Sequence, residues 1–141
     1  MTRADDPPPL ARLLSLALDR LSRQLQERIR EAGFTDQRMA HNAVFAHIPP
    51  DGITLADLAR RAGMTKQGMS ELVVDLEAKG YLTRRSDDRD KRTKVIELSD
   101  RGWAAVETAL AAFEEIERDV EREVGSTRLK ALRRTLEMLG A

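Results

Sequence analysis

Apolar positions recur at intervals of three and four through the first part of the chain. Leu10, Leu13, Leu14, Ala17, Leu18, Leu21, Leu25 and Ile29 form one stripe. The spacing predicts an amphipathic helix of about twenty residues, stopped at Gly33. Asp36 stands where an N-cap belongs. The helix it would open carries Met39, Ala40, Ala43, Val44 and Ala46 to about His47. Pro49, Pro50, Asp51 and Gly52 then read as a loop. Thr54 is the expected cap of a short helix from Leu55 to Arg61, with Asp57 near its positive end. Gly63 ends that helix and Thr65 caps the next, Lys66 to about Lys79, whose apolar face is Met69, Leu72, Val73 and Leu76. Gly80 occupies the C′ position, where a left-handed residue is expected.

The period then changes. Tyr81 to Arg85 and Val95 to Leu98 read as two strands, joined by the charged stretch from Ser86 to Arg92. This is a hairpin with a long tip. A long helix resumes near Ser99, with Trp103, Val106, Leu110, Phe113, Ile116, Val120 and Val124 on one stripe. Gly125 breaks it, and Ser126 is the expected cap of a last helix carrying Leu129, Leu132, Leu136 and Leu139. The order helix, turn, helix, hairpin is that of a winged helix-turn-helix. The first and last two helices carry more leucine than one small core absorbs, and a monomer would expose an unusually large apolar patch. The expected fold is therefore mainly α with a small β-hairpin wing (α+β), a winged helix-turn-helix with N- and C-terminal dimerisation helices. The expected division is a flexible N-terminal tail over 1–9, dimerisation helices over 10–33 and 99–141, and a DNA-binding domain over 34–98.

Composition narrows the class. The chain has 141 residues, 41% hydrophobic and 34% charged. That is too apolar for a disordered chain and too polar for a membrane protein. The first ten residues carry Asp5, Asp6 and three consecutive prolines, so no export signal is expected. Cysteine is absent, which excludes disulfides, thiolate catalysis and thiol-oxidation sensing. The expected location is cytoplasmic, with no membrane partner.

Global charge announces no partner, since 24 Lys+Arg face 24 Asp+Glu. The signs are nevertheless segregated. Residues 84–94 hold six basic and three acidic side chains, whereas residues 103–124 hold seven acidic and two basic. A recognition helix needs an apolar face toward the domain and polar or basic groups near its N-terminus. Thr65, Lys66, Gln67, Gly68 and Ser70 occupy that end. Gln pairs with adenine, Lys reaches guanine, and Ser serves base or phosphate. Gly68 reads equally as room for close backbone approach to DNA and as tolerated slack. On the hairpin, Arg89, Lys91 and Arg92 suit a narrow minor groove. Arg84, Arg85 and Lys94 are placed to touch phosphates. Double-stranded DNA is the expected partner.

Two runs carry a family resemblance. Asp90-Lys91-Arg92 followed by Leu98-Ser99 and Arg101-Gly102 is one, and Leu76-Glu77-Ala78-Lys79-Gly80-Tyr81 is the other. Thr54–Gly102 resembles the winged helix of MarR-type bacterial transcriptional regulators, and the flanking helices follow the family's order. The resemblance implies a homodimer that usually represses, occupying a pseudo-palindromic operator. It implies that a wing arginine such as Arg89 or Arg92 enters the minor groove, and that Asp90 supports a neighbouring arginine. Asp87-Asp88 departs from the family's pattern, which commonly has proline near the wing tip. The resemblance also implies a small aromatic or phenolic effector, bound where the second helix meets the dimer helices. Met39, His41, Phe45 and Trp103 are the residues placed to line such a site, and each also reads as plain core.

Other chemistry is sparse. His41 and His47 would lie roughly 120° apart around a helix, so they cannot share a metal. No Gly-rich phosphate loop, nucleophile elbow or HExxH motif occurs. The acidic run from Glu114 to Glu123 reads as a solvated face, with Arg118 and Arg122 within it. No cofactor, metal or enzymatic activity is expected. The second reading is a winged helix used as a protein-interaction module, without sequence-specific DNA binding.

Overall fold

The computed structural model describes residues 6–140. The first five residues of the expected tail and Ala141 lie outside the described residues, and Asp6–Pro9 lead into the first helix as exposed coil. Six helices and a small sheet follow: α1 (Leu10–Glu31), a 3-10 turn (Met39–His41) continuous with α2 (Asn42–Phe45), β1 (Ile53–Thr54), α3 (Leu55–Arg61), α4 (Lys66–Ala78), β2 (Leu82–Ser86), β3 (Lys94–Leu98), α5 (Asp100–Val124) and α6 (Ser126–Gly140).

Two cores hold the chain together. The larger joins Val44, Leu58, Met69, Val73, Leu76, Tyr81, Ile96 and Ala105, all buried. It fuses α2, α3, α4, the sheet and the start of α5 into one body. The smaller joins Leu25 and Ile29 of α1 to Ala112 and Ile116 of α5. Thr54, Thr65 and Ser99 cap α3, α4 and α5, each accepting a hydrogen bond from the backbone N–H at N3.

Several local expectations are corrected. The second helix is only a 3-10 turn and four α-helical residues. Asp36 does not cap it, because its carboxylate accepts from the Tyr81 hydroxyl at 2.6 Å and from Arg101 at 3.0 Å. The wing is a three-stranded sheet in the order β1-β3-β2, in which Ile53 and Thr54 pair with Ile96 and Val95. Ser126 is the first helical residue of α6 rather than its cap; the Gly125 carbonyl accepts from Leu129 N–H at 3.2 Å.

Helix α5 is corrected as well. Its inward face is built from Gly102, Ala105, Ala112 and Ile116. The large side chains Trp103, Leu110 and Phe113 stay exposed on this single chain. The acidic side of α5 also does more than face solvent. Glu123 pairs with Arg20 at 2.5 Å, Asp119 with Arg28 at 2.9 Å and Glu117 with Arg133 at 2.7 Å, so α1 and α6 are both tied to it. These pairs lie at the surface, where solvent screens them, so they orient the helices more than they stabilise them.

Candidate nucleic-acid interface

The turn between α3 and α4 sets the presentation of α4. Gly63 takes φ +64°, and the Met64 N–H returns to the Ala59 carbonyl at 2.9 Å. Thr65 then starts α4, its hydroxyl oxygen accepting from Gly68 N–H at 3.0 Å. Met69, Val73 and Leu76 drive one face of α4 into the core. The period of 3.6 residues leaves Gln67, Ser70, Glu71 and Val74 on the opposite face, where with Lys66 they line an open groove. Lys66, Gln67, Glu71 and Val74 are exposed and Ser70 is half-buried. A Cβ on Gly68 would lie 3.0 Å from the Thr65 hydroxyl oxygen, so glycine here also leaves room for the cap.

The tip of the wing is shaped by its aspartates. Asp87 accepts the Arg89 N–H at 3.2 Å, and Asp90 accepts the Arg92 N–H at 3.0 Å. Asp90 also accepts the Thr93 hydroxyl at 3.3 Å. Both carboxylates thus make Asx turns, which bend the backbone in place of proline. The departure at Asp87-Asp88 has a structural reason at Asp87. Among the described residues, the Arg89, Lys91 and Arg92 side chains have no carboxylate partner, and all three are exposed.

The basic residues at the wing base differ. Arg84 donates to Glu77 of α4 at 2.6 Å, and Arg85 donates to Glu97 at 2.5 Å and to the Asp51 carbonyl at 3.3 Å. Lys94 donates to the Ser86 hydroxyl at 3.1 Å. Arg84 thus ties the wing to α4 and Arg85 ties it to the preceding loop, while Lys94 bridges β3 to β2 within the wing. The structure brings Lys66, Gln67 and Ser70 together on α4 and sets Arg89, Lys91 and Arg92 apart on the tip.

Farther along α4, at the edge of the same groove, lies a polar anchor. Asp75 accepts from the His41 ring at 2.7 Å, from Lys79 at 2.9 Å and from Arg38 at 3.3 Å. The Lys79 ammonium and the His41 N–H hold its carboxyl down to about 2. His41 is fully buried. Its Nδ1 accepts the Arg38 backbone N–H at 2.9 Å, so the proton sits on Nε2 and the ring is neutral. Burial pushes its pKa below the ordinary value.

A second anchor ties the wing to α5. The Arg101 guanidinium lies 4.2 Å from the Tyr81 ring centroid and also bonds the Lys79 carbonyl. Phe34 and Phe45 flank the same ring, at 6.1 and 5.8 Å between centroids. Burial and the Asp36 carboxylate raise the Tyr81 pKa far above its ordinary value. Together these contacts give the Lys79-Gly80-Tyr81 and Ser99–Gly102 runs a packing role.

A cleft of about 570 Å³ opens between α1, α2 and α5. Phe45 lines it, together with Leu21, Gln37, Asn42, Ala109 and Phe113. Met39, His41 and Trp103 are not in its lining: His41 faces Asp75, while Met39 and Trp103 are exposed elsewhere. Sequence reasoning does not find Gln37, Asn42 and Phe113 as lining residues. Gln37 and Asn42 carry no sequence signal, and Phe113 is absorbed into the apolar stripe.

Residues 43–93 match the sequence family described as "MarR family". An uncharacterized HTH-type transcriptional regulator of Bacillus cereus is 38% identical over 58 residues, which is 41% of this chain and 37% of that protein. The matched region is thus little more than a third of the relative's length. Among solved structures, a probable transcriptional regulator from Pseudomonas aeruginosa superposes with TM-score 0.74 at 25% identity, over 97% of this chain and 99% of that one. Staphylococcus aureus MepR in its DNA complex superposes with TM-score 0.73 at 22% identity, over 95% and 98% of the two chains.

Proposed function

We propose that the chain is a DNA-binding transcriptional regulator of the MarR family, whose sequence pattern its winged-helix segment, residues 43–93, matches. The observation that carries this reading is the distribution of unpaired polar groups. Arg84, Arg85 and Lys94 are engaged within the chain. The side chains of Lys66 and Gln67 on α4 and of Arg89, Lys91 and Arg92 at the wing tip have no partner among the described residues. Those are the groups that major-groove and minor-groove readout require. The regulator acts in the cytoplasm as a homodimer on a pseudo-palindrome, with α4 in the major groove and the wing tip in the minor groove. Its role is repression.

Release follows from a small phenolic ligand in the cleft beside α1. Gln37 is buried there, and its Oε1 has no protein partner among the described residues. A phenol O–H supplies the missing donor, and Phe45 and Phe113 supply aromatic walls. The ligand releases DNA only by binding better to a half-site spacing that does not fit the operator.

The test is fluorescence anisotropy on an operator duplex selected from genomic fragments. Arg92→Ala is expected to weaken binding and to reduce the salt slope by about 0.9 for each phosphate that is no longer neutralised, with the dimer intact. Unchanged affinity and slope would remove Arg92 from the interface. Retention of all fragments alike would favour the protein-interaction reading.

A further inference from the structure

Helix α4 carries three carboxylates, and two of them are spoken for. Asp75 is held by Lys79, His41 and Arg38, and Glu77 by Arg84. Glu71 is exposed and has no hydrogen-bond or ion-pair partner among the described residues. It lies in the groove lined by Gln67, Ser70 and Val74, on the face that would meet DNA.

Nothing among the described residues accounts for a carboxylate at this place. It sits in the second turn of α4, beyond the first-turn positions where the helix dipole favours an acid. Its i−4 and i+4 neighbours are Gln67 and Asp75, so no cation supports it and one like charge opposes it. Against a phosphate backbone it is repulsive. A carboxylate on this face gains only where DNA presents a hydrogen-bond donor with no acceptor beside it.

In the major groove that condition selects one base. Guanine offers acceptors only, and thymine offers an acceptor and a methyl group. Adenine sets its N6 donor beside the N7 acceptor, a pattern that suits the Gln67 amide rather than a carboxylate. Cytosine offers its N4 amino group without an adjoining acceptor on the same base. Resting on the DNA-binding reading above, we propose that Glu71 is a specificity-determining residue that accepts a hydrogen bond from a cytosine N4 amino group and rejects the other three bases. Four residues advance a helix by about 6 Å, so this cytosine lies within two base-pair steps of the base read by Gln67. The same charge keeps affinity for unrelated duplex low.

The test is selection from a library of duplexes with randomised half-sites at about 0.15 M salt, using the wild-type chain, Glu71→Ala and Glu71→Gln. The wild type is expected to select cytosine at one position in each half-site, with a penalty of roughly tenfold or more for other bases. Glu71→Ala should erase the preference at that position alone and tighten binding to unrelated duplex several-fold. Glu71→Gln should exchange cytosine for adenine there, because an amide both donates and accepts. If Glu71→Ala left every positional preference intact, Glu71 would read no base, while the regulator reading would stand on the wild-type selection. If the wild type selected no sequence at all, both readings would fall together.

Discussion

Gly102 shows how one residue sets the junction between the wing and α5. A Cβ there would lie 2.2 Å from the Tyr81 carbonyl oxygen and 3.0 Å from a Leu98 methyl. That carbonyl cannot turn away freely, because it accepts the Ser99 N–H at 3.0 Å. In an open helix, Gly→Ala gains about 1 kcal/mol. Here the overlap reverses the sign, and Gly102→Ala is expected to cost roughly 1–3 kcal/mol. Gly140, whose Cβ would meet nothing within 4 Å, is the control. Urea unfolding midpoints of the two variants decide the matter. A Gly102→Ala midpoint equal to wild type would mean that α5 shifts at no cost. The Arg101-Gly102 pair is visible in the sequence as a family resemblance. Its reason is not, because the Tyr81 carbonyl and ring that both residues meet lie far back in the chain.

At the scale of elements, α3, α4 and α5 are legible because short-range signals define them. Thr54, Thr65 and Ser99 mark their starts, and the apolar spacing marks their faces. The second helix is not, because distant residues decide it. Asp36 is taken by Tyr81 and Arg101, and His41 turns inward to bond Asp75 on α4. β1 has two residues, too few for a period to register. In the proposed interface the unpaired groups are readable from residue type, whereas the pairing of Arg84 and Arg85 depends on the register of β2 against α4 and β3.

The His41–Asp75 bond fastens the 3-10 turn to α4, and it predicts a pH dependence. The folded pKa of His41 lies below its ordinary value of 6.5 because the ring is buried, so the unfolded chain binds the extra proton more readily. The contribution to stability is therefore complete above pH 6.5 and is lost as pH falls through the folded value. Asp75, held at about 2 against an ordinary 3.8, loses its contribution only in stronger acid. Thermal unfolding from pH 7.5 down to 5.0 should show a falling midpoint in the wild-type chain. His41→Gln, which keeps a donor toward Asp75 but does not titrate, should have a shallower slope over the same window. Equal slopes would assign the acid sensitivity to other groups.

For the whole molecule, the decisive feature is what a single chain leaves uncovered. Helix α6 buries none of its residues, and Leu132 and Leu136 remain 48% and 41% exposed. A helix of fifteen residues is marginal in water without packing. The N-terminal half of α1 is in the same state, with Leu10, Leu13 and Leu16 exposed. A second copy is the partner that the DNA reading requires, since two recognition helices must meet half-sites about 34–36 Å apart. The wild-type chain should therefore sediment at twice its 15.9 kDa. The double variant Leu132→Asp, Leu136→Asp should sediment at the mass of one chain, because each carboxylate would be buried unpaired in the interface. Its winged helix should stay folded, since the larger core draws nothing from α6. Operator affinity should fall by roughly 10²–10⁴, the gain that linking two half-site contacts supplies. Loss of DNA binding with the dimer retained would place these leucines outside the interface. A monomeric wild type would leave α6 without a cover and the two-fold reading without its basis.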